Sequence, residues 1–258
     1  MVDLTGKLAV VTGSTTGIGL GIAHHLAAKG CSVVITGLGE PDLIHDILKD
    51  FAEKYPKGRF EFIEGDLIKE ESTLKFCETV LKRFPDGIDI LINNAGIQYI
   101  CNIDEYPNSV WNNMIAISLT APFLLTKHFI PKMKEKNWGR IISLSSQMGH
   151  VSSVGRAPYS AVKTGIIGFS KGVALEAAPY SITCNCICPG FVDAPTLCSF
   201  MVYFIENLFQ AEFVKTQNPT QRLITIDQIA EMVIYLCSPG ADNITGTSLL
   251  VDGGFTAK

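Results

Sequence analysis

The sequence predicts a single α/β domain, in which helices cover both faces of a doubly wound, mainly parallel sheet of seven strands. Its 258 residues suit one such domain. Short apolar runs alternate along the chain with helical stretches of about 12 residues or more, a rhythm typical of βαβ units. No internal repeat or low-complexity linker divides the chain. We therefore treat residues 1–258 as one domain.

The expected strands are short runs of apolar residues, each flanked by turn-forming residues. They fall at 8–12, 32–36, 60–63, 88–92, 140–144, 181–187 and 248–251. The first helix is predicted over 18–28. Residues 189–221 break the rhythm with three prolines and several aromatic residues. Because a loop of this length inside a compact domain is usually functional, we predict a substrate lid over 189–221.

Composition argues against several kinds of partner. The net charge of −4 is unfavourable for nucleic-acid binding, which needs a basic face. No run of 18 apolar residues predicts a membrane span, and the first residues lack the pattern of a secretory signal. The eight cysteines are scattered rather than arranged as a disulfide framework. We expect reduced thiols, a cytoplasmic protein and a small-molecule substrate.

A glycine-rich turn, Thr12-Gly13-Ser14-Thr15-Thr16-Gly17-Ile18-Gly19, joins the first expected strand to the first helix. Glycines at such a turn let the backbone approach a pyrophosphate, and the free N–H groups of the following helix point at its charge. An ordinary tight turn is the alternative interpretation. The position between strand and helix favours dinucleotide binding.

A second motif, Asn93-Asn94-Ala95-Gly96, follows the fourth expected strand. Ligands of open α/β sheets lie at the carboxyl ends of the strands. The two amides could hold the strand end together, and the glycine could let a cofactor ring approach. A plain strand-to-loop turn is the alternative.

The third motif pairs a phenol with an ammonium group. Tyr159 and Lys163 are four residues apart and share one face of a predicted helix. A nearby ammonium favours the phenolate, which suits a group that exchanges protons. Ser146 follows the fifth expected strand and could reach the same pocket. The alternative is a surface helix with an extended lysine.

These motifs, in this order and spacing, together resemble the short-chain dehydrogenase/reductase family. The resemblance runs from Lys7 to Gly246-Thr247 and to Asp252-Gly253-Gly254. It implies a Rossmann-like fold and hydride transfer to or from a nicotinamide cofactor. In the family the tyrosine passes a proton to or from the substrate oxygen, the serine hydrogen-bonds that oxygen, and the lysine binds the nicotinamide ribose. Tyr159, Ser146 and Lys163 match those positions.

Three stretches, 12–23, 94–98 and 251–258, are similar to bacterial D-3-hydroxybutyrate dehydrogenases, which oxidise 3-hydroxybutyrate to acetoacetate with NAD. The family resemblance also implies a homotetramer built on the two long helices and the C-terminal strand. The residues that it places against the cofactor are Gly13, Thr15, Gly17, Ile18, Gly19, Leu38, Asp66, Asn94, Ala95, Gly96, Tyr159, Lys163, Pro189, Gly190 and Val192.

NAD is the expected cofactor. The second strand ends at Thr36-Gly37-Leu38-Gly39, without the Arg or Lys that would neutralise the 2′-phosphate of NADP. Thr16 stands where NADP-dependent relatives often carry a basic residue. Asp66 matches the family position that contacts the adenine.

The chain departs from the family at two positions near the reacting atoms. Ser118 stands where the family has an Asn whose backbone carbonyl helps to hold a water in the proton relay. We keep Ser118 among the catalytic residues because the carbonyl remains. Ala194 replaces a Thr that contacts the nicotinamide carboxamide, and Thr196 could substitute for it.

The substrate pocket departs further. Met148 and Phe200 stand where the hydroxybutyrate enzymes place polar anchors for the carboxylate, while Arg156 retains a cation. A solvated charge at a helix start is the alternative interpretation of Arg156. The expected substrate contacts are Gln98, Ser146, Met148, Arg156, Tyr159, Phe191 and Phe200.

Three functions follow from these patterns. The first is an NAD-dependent 3-hydroxybutyrate dehydrogenase, and the second is the same chemistry on a bulkier or less polar alcohol. The third, a non-catalytic cofactor-binding scaffold, is disfavoured by the intact Ser146, Tyr159 and Lys163. Cys184, Cys186 and Cys188 alternate along one strand, and we interpret them as a buried apolar face rather than a metal site.

Overall fold

The structure, a computed structural model, describes residues 2–194 and 216–257. Its seven strands form one sheet in the order β3-β2-β1-β4-β5-β6-β7, and every neighbouring pair is parallel. The predicted fold class is confirmed, and the sheet is wholly rather than mainly parallel. The strands are β1 (Leu8–Thr12), β2 (Ser32–Thr36), β3 (Phe60–Phe62), β4 (Ile90–Asn93), β5 (Gly139–Leu144), β6 (Ile182–Pro189) and β7 (Ser248–Val251).

Helices connect the strands on both sides of the sheet. A π-helical turn at Ala116–Thr120 joins the fourth helix to the fifth. A capping box of Thr225 and Gln228 starts the last one. The helices among the described residues are α1 (Gly17–Ala28), α2 (Pro41–Lys54), α3 (Glu70–Arg83), α4 (Asn108–Ile115), α5 (Ala121–Lys136), α6 (Ala157–Ala177) and α7 (Ile226–Leu236).

The strand order reverses next to β1. The chain runs outward from β1 to β2 and β3, then returns to place β4 on the other side of β1. Connections therefore leave β1 and β4 in opposite directions, which opens a crevice at their carboxyl ends. This is the position where doubly wound sheets bind ligands.

Both faces of the sheet are buried along its five central strands, β2, β1, β4, β5 and β6. Successive residues of β1 point to opposite sides, so Ala9 and Val11 pack in the layer of α1 and α7. Leu8 and Val10 pack in the layer of α3 and α5. Burial on both faces explains why the strands are continuous apolar runs rather than alternating patterns.

One helical stretch in the described part of the chain, Asn108–Lys136, is long and apolar enough to cross a membrane by length and composition alone. Within its most apolar window 44% is buried inside the protein. Its α5 portion packs against α3 and β5. We therefore assign it as a core helix of the α/β domain.

The three alternating cysteines of β6 lie inside the protein. Cys184, Cys186 and Cys188 are each fully buried. Burial raises the pKa of the Cys184 and Cys186 thiols to about 12 and that of Cys188 to about 11. These thiols therefore stay protonated at neutral pH, as side chains of an apolar strand face. In the described ranges no group of three or more His, Cys, Asp or Glu side chains is placed to hold a metal ion.

The contact between α1 and α7 makes a matched pair of glycine substitutions informative. A Cβ on Gly21 would lie 2.1 Å from Ile226 Cγ2, whereas a Cβ on the exposed Gly168 of α6 would meet nothing within 4 Å. We expect Gly21→Ala to destabilise the protein by about 1–3 kcal/mol through overpacking. Gly168→Ala should stabilise it by about 0.5–1 kcal/mol, since alanine loses less backbone entropy in a helix. Urea unfolding measures both, and equal effects would contradict the close helix contact.

Candidate active site

The predicted motifs meet at one edge of the sheet. Thr12, Asn93, Leu144 and Pro189 end β1, β4, β5 and β6. Because these strands are parallel neighbours, the segments that follow them lie side by side. The glycine-rich turn, the Asn-Asn-Ala-Gly segment and Ser146 therefore open into a common crevice.

The glycine-rich turn has no room for side chains. A Cβ on Gly19 would lie 2.2 Å from the Gly13 carbonyl oxygen, and one on Gly13 would lie 3.1 Å from Ala95 Cα. Gly13 and Gly17 also have positive φ values, 62° and 56°, which favour glycine. The turn therefore presents bare backbone at the start of α1, where unpaired N–H groups can receive an anion.

Asn94 fastens this turn to β4. Its side-chain Nδ2 donates to the carbonyl oxygens of Thr12 at 2.8 Å and Gly13 at 3.1 Å. In return, the Thr12 hydroxyl accepts from the backbone N–H groups of Asn94 and Ala95 at 2.9 and 3.0 Å. Asn93 reaches the other way, and its Nδ2 donates to Ser143 Oγ at 3.3 Å. Both amides thus hold neighbouring strand ends together.

A second set of hydrogen bonds ties the turn to the end of β2. The Ser14 backbone N–H donates to the Thr36 carbonyl at 2.9 Å, and Thr15 Oγ1 donates to the Leu38 carbonyl at 2.9 Å. The Leu38 side chain is 72% exposed and Glu40 is exposed beside it. The segment 36–40 that follows the second strand carries no cation.

Asp66 lies just beyond β3, one strand further out. Its carboxylate accepts from the Ile68 backbone N–H at 3.2 Å, and it is 3.1 Å from Lys69 Nζ. The predicted adenine contact is thus placed in a tight turn on the β3 side of the crevice.

Ser146 follows the end of β5, and Lys163 of α6 reaches the same strand end, with Tyr159 one turn earlier on α6. Lys163 is buried, and its Nζ donates to the Leu144 carbonyl at 2.7 Å. The same Nζ lies 5.6 Å from the centre of the Tyr159 ring. Ser146 Oγ accepts from the Met148 backbone N–H at 3.1 Å, which orients the hydroxyl. The half-buried Tyr159 remains partly open to solvent.

Ser118 lies in the π-helical turn between α4 and α5. It is 5% exposed, and its hydroxyl has no hydrogen-bond partner within the described residues. Gly96 faces it, since a Cβ there would lie 3.9 Å from Ser118 Oγ and 3.7 Å from Lys163 Nζ. Pro122, four residues on, lacks an N–H, so the Ser118 carbonyl receives no i+4 hydrogen bond of the α-helical kind. The structure thus brings Ser118, Gly96 and Lys163 together.

Arg156 is the residue immediately before α6 and is half-buried. Burial lowers the pKa of its guanidinium group, while the nearby Tyr159 acts in the opposite direction. The cation therefore lies partly out of water and within electrostatic reach of the phenol. This placement argues against the interpretation of Arg156 as a fully solvated charge.

The other expected substrate contacts are dispersed around the crevice. Met148 is buried, with 3% of its surface exposed, whereas Gln98 is exposed. Phe191 packs edge-to-face on Phe255, with ring centres 5.7 Å apart. Phe200, like Thr196 and most of the predicted lid, lies outside the described residues.

The segment after β6 forms a wall beside β7 and the residues that precede α7. Gly190 donates its N–H to the Val251 carbonyl at 2.9 Å, and a Cβ on it would lie 2.8 Å from Asp252 Cα. Val192 is buried and pairs with Ile224. Ala194 is buried and brings no hydroxyl to this wall.

Three residues that organise the site were missed by sequence reasoning. Thr12, Ser14 and Ser145 act through hydrogen bonds to the backbone of other segments. Their partners are 82, 22 and 18 positions away in the chain, so no local pattern identifies them. Their location at the ends of apolar runs, where a hydroxyl is unusual, was the one available signal.

Comparison with known proteins assigns the chain to a protein family. The family model described as enoyl-(acyl carrier protein) reductase matches residues 13–256. The D-beta-hydroxybutyrate dehydrogenase of Rhizobium meliloti (strain 1021) is 39% identical over 259 residues, covering 98% of this chain and 99% of the relative. The chain belongs to the short-chain dehydrogenase/reductase family. It is therefore an oxidoreductase, and the family uses nicotinamide cofactors.

Other short-chain dehydrogenase/reductases are similar over the same length. The 3-oxoacyl-[acyl-carrier-protein] reductase of Aquifex aeolicus (strain VF5) is 36% identical, with 98% of each chain covered. A solved structure from Beutenbergia cavernae superimposes with a TM-score of 0.90 at 27% identity, covering 100% of this chain and 99% of that one. That protein is provisionally assigned as an NAD(P)-dependent gluconate 5-dehydrogenase and holds NADP at low occupancy. Relatives of similar likeness thus differ in substrate.

The described residues fit a nicotinamide dinucleotide. Bare backbone at Gly13 and Gly19 leaves room for phosphates at the start of α1. Gly96 leaves an open approach in front of Lys163 Nζ, where a Cβ would be in ordinary contact at 3.7 Å. A phosphate cradle and a buried cation thus lie at the two ends of one crevice.

Proposed function

We propose that this oxidoreductase interconverts a secondary alcohol and a ketone with NAD, and that its substrate pair is 3-hydroxybutyrate and acetoacetate. The observation that carries the choice of substrate is the half-buried Arg156 beside Tyr159. A short hydroxy acid needs a cation for its carboxylate close to the group that exchanges the proton. The likeness to D-beta-hydroxybutyrate dehydrogenases supports the same choice.

The proposed mechanism assigns proton transfer to this chain's residues. A bound NAD supplies the hydride acceptor, which is chemistry of the cofactor rather than of the protein. Tyr159 takes the hydroxyl proton of the alcohol, or returns it to the ketone. Ser146 hydrogen-bonds the same oxygen. Lys163, held by the Leu144 carbonyl near the Tyr159 ring, is proposed to bind the nicotinamide ribose beside the phenol.

Ser118 is proposed to support the proton relay through its backbone carbonyl. The carbonyl receives no i+4 hydrogen bond of the α-helical kind because Pro122 has no N–H. It can therefore accept from a water that exchanges protons with the Lys163 ammonium. This role needs no Asn side chain, so we expect Ser118 to preserve the relay.

Arg156 is proposed to bind the substrate carboxylate. A guanidinium group can pair with a carboxylate through two parallel hydrogen bonds. Partial withdrawal from water strengthens such a pair. Gln98, an exposed residue just after the Asn-Asn-Ala-Gly segment, is proposed to supply a neutral donor.

A second candidate function is the same reaction on a bulkier or less polar substrate. Met148, buried behind Ser146, supports it because a polar carboxylate anchor would be expected at that position. The likeness to 3-oxoacyl-[acyl-carrier-protein] reductases also favours a larger ketone. The two functions differ in the role of Arg156, which a neutral substrate would not need.

NAD is proposed as the cofactor because the residues after β2 offer no cation. Leu38 is exposed, its carbonyl is engaged by Thr15, and Glu40 adds a negative charge nearby. The 2′-phosphate of NADP would therefore lie against an acidic, unneutralised segment.

We also propose a cytoplasmic homotetramer. Apolar side chains are exposed on the faces that the family resemblance assigns to assembly, including Phe123 of α5, Leu175 of α6 and Leu250 of β7. Seven described cysteines are free thiols, which fits a reducing compartment. Light scattering of the purified protein tests the assembly, and a monomeric mass would contradict it.

Tyr159→Phe should abolish nearly all turnover while leaving NADH binding within a few-fold of the wild type. The phenol supplies the proton, and general acid–base groups contribute about 10²–10⁴-fold to the rate. Alcohol-dependent NADH formation measures the first effect and a fluorescence titration the second. Tyr235→Phe, on the exposed face of α7, is the control. A Tyr159→Phe variant with a third of the wild-type rate would contradict the assignment.

The wild type should have a higher kcat/KM with NAD than with NADP, and Leu38→Arg should narrow the difference. The added guanidinium would neutralise the 2′-phosphate. Leu38→Gln, of similar length but uncharged, is the control and should leave the preference unchanged. Equal kcat/KM values with both cofactors in the wild type would refute the proposal.

Arg156→Ala should raise KM for 3-hydroxybutyrate by roughly ten-fold or more. Hydrogen bonds between charged groups are worth about 1.5–3 kcal/mol, and each 1.4 kcal/mol is a factor of ten. KM for 2-butanol, a neutral alcohol of similar size, should hardly change. Arg156→Lys keeps the charge and should recover part of the loss. A wild type that oxidises neutral secondary alcohols but ignores hydroxy acids would replace the first function with the second.

A further inference from the structure

Two adjacent serines at the end of β5 face opposite ways. Ser146 is in an extended conformation, and its hydroxyl accepts from the Met148 N–H at the start of the following turn. Ser145 is 4% exposed, and its hydroxyl donates to the backbone carbonyl of Lys163 at 2.7 Å. Successive side chains of an extended chain alternate in direction. Ser146 is therefore available to the reacting groups, while the Ser145 side chain points to α6.

Lys163 is bound at both its side chain and its backbone by consecutive residues, the last residue of β5 and the one that follows it. Its side-chain Nζ donates to the Leu144 carbonyl at 2.7 Å, and its backbone carbonyl accepts from the Ser145 hydroxyl. The Lys163 backbone already belongs to α6, so the Ser145 bond ties that helix to the end of β5, while the Leu144 bond fixes the flexible side chain. Two anchors fix the place of the ammonium relative to the strand.

The backbone of Ser145 is itself fixed. Its N–H donates to the Ile187 carbonyl of β6 at 2.8 Å, so the residue is bound to the neighbouring strand while its side chain reaches α6. Gly149 permits this close approach. A Cβ on Gly149 would lie 2.8 Å from Ser145 Oγ and 2.9 Å from the Lys163 carbonyl oxygen. Ser145, at the end of β5, is thus hydrogen-bonded to both β6 and α6.

We propose that Ser145 is a positioning residue, which sets α6 against β5 so that Ser146, Tyr159 and Lys163 meet in register. The proposal rests on the proposed function for the roles of those three residues. Ser145 touches neither substrate nor cofactor and acts through Lys163. Loss of its hydroxyl should therefore change the reaction more than the folding.

The test compares Ser145→Ala with the wild type, using the secondary alcohol that the wild type oxidises fastest. We expect kcat to fall about ten-fold, because small misplacements of reacting groups cost up to about 10²-fold. The KM for the alcohol should change less than two-fold. NADH should bind about three-fold more weakly by fluorescence titration. The pH at which kcat reaches half its maximum should shift, because the ammonium no longer keeps its position beside the phenol.

Two further variants separate positioning from a general packing effect. Ser145→Cys keeps a weak donor of similar size and should recover part of kcat. Ser170→Ala also removes a buried hydroxyl, in this case one on α6. The Ser170 hydroxyl accepts from the Cys186 thiol at 3.2 Å and lies outside the site. It should leave kcat, NADH binding and the pH profile unchanged. If Ser145→Ala does not fold, Ser145→Cys is measured in its place and should show the same changes to a smaller degree.

The proposal is overturned if Ser145→Ala and Ser170→Ala lower the unfolding temperature alike while neither alters kcat, NADH binding or the pH profile. A wild type that oxidises no secondary alcohol would refute the proposed function. The NADH titration would still test Ser145 in that case. Unchanged NADH affinity in Ser145→Ala would then overturn the positioning role.

Discussion

The arrangement of the site depends on the burial of one cation. A charged group removed from water is costly unless it is compensated by hydrogen bonds. Lys163 is 6% exposed, and the Leu144 carbonyl receives its ammonium. That carbonyl is available because β5 ends there. The hydrogen bond that the buried ammonium requires therefore positions the strand end, the helix α6 and the phenol of Tyr159 relative to one another. The glycine at 96 then allows a ligand to approach the same cation.

The sheet was predictable because both of its faces are buried. Continuous apolar runs gave the bounds of β1, β2 and β7 as observed. The expected strand at 88–92 begins two residues later, since the Asp89 carboxylate, rather than a backbone carbonyl, accepts from the Leu8 N–H. The expected strand at 181–187 extends to Pro189, where pairing with Val251 continues. The predicted strand ends were thus wrong where side chains or strands distant in sequence determine the hydrogen bonding.

Candidate site residues were predictable where they belong to a local motif. Tyr159 and Lys163 are one helical turn apart, so their common face follows from spacing alone. Ser145 and Thr12 act on segments brought near only by the sheet order, and spacing says nothing about them. Relatives of similar identity carry different substrate names, so resemblance alone does not choose between hydroxy acids and larger ketones. Phe200 stays a prediction because it lies outside the described part of the chain.

The π-helical turn at Ala116–Thr120 amounts to one surplus residue in an otherwise continuous helix. Each α-helical residue advances the direction of the side chains by about 100°, so the surplus turns everything beyond it by that angle. Within the turn the helix carries Ser118, whose hydroxyl faces Gly96, and downstream it keeps Phe129 and Met133 against the sheet. A regular helix of the same composition could satisfy one of these orientations. The irregularity therefore lets one helix serve the reaction at one end and the core at the other.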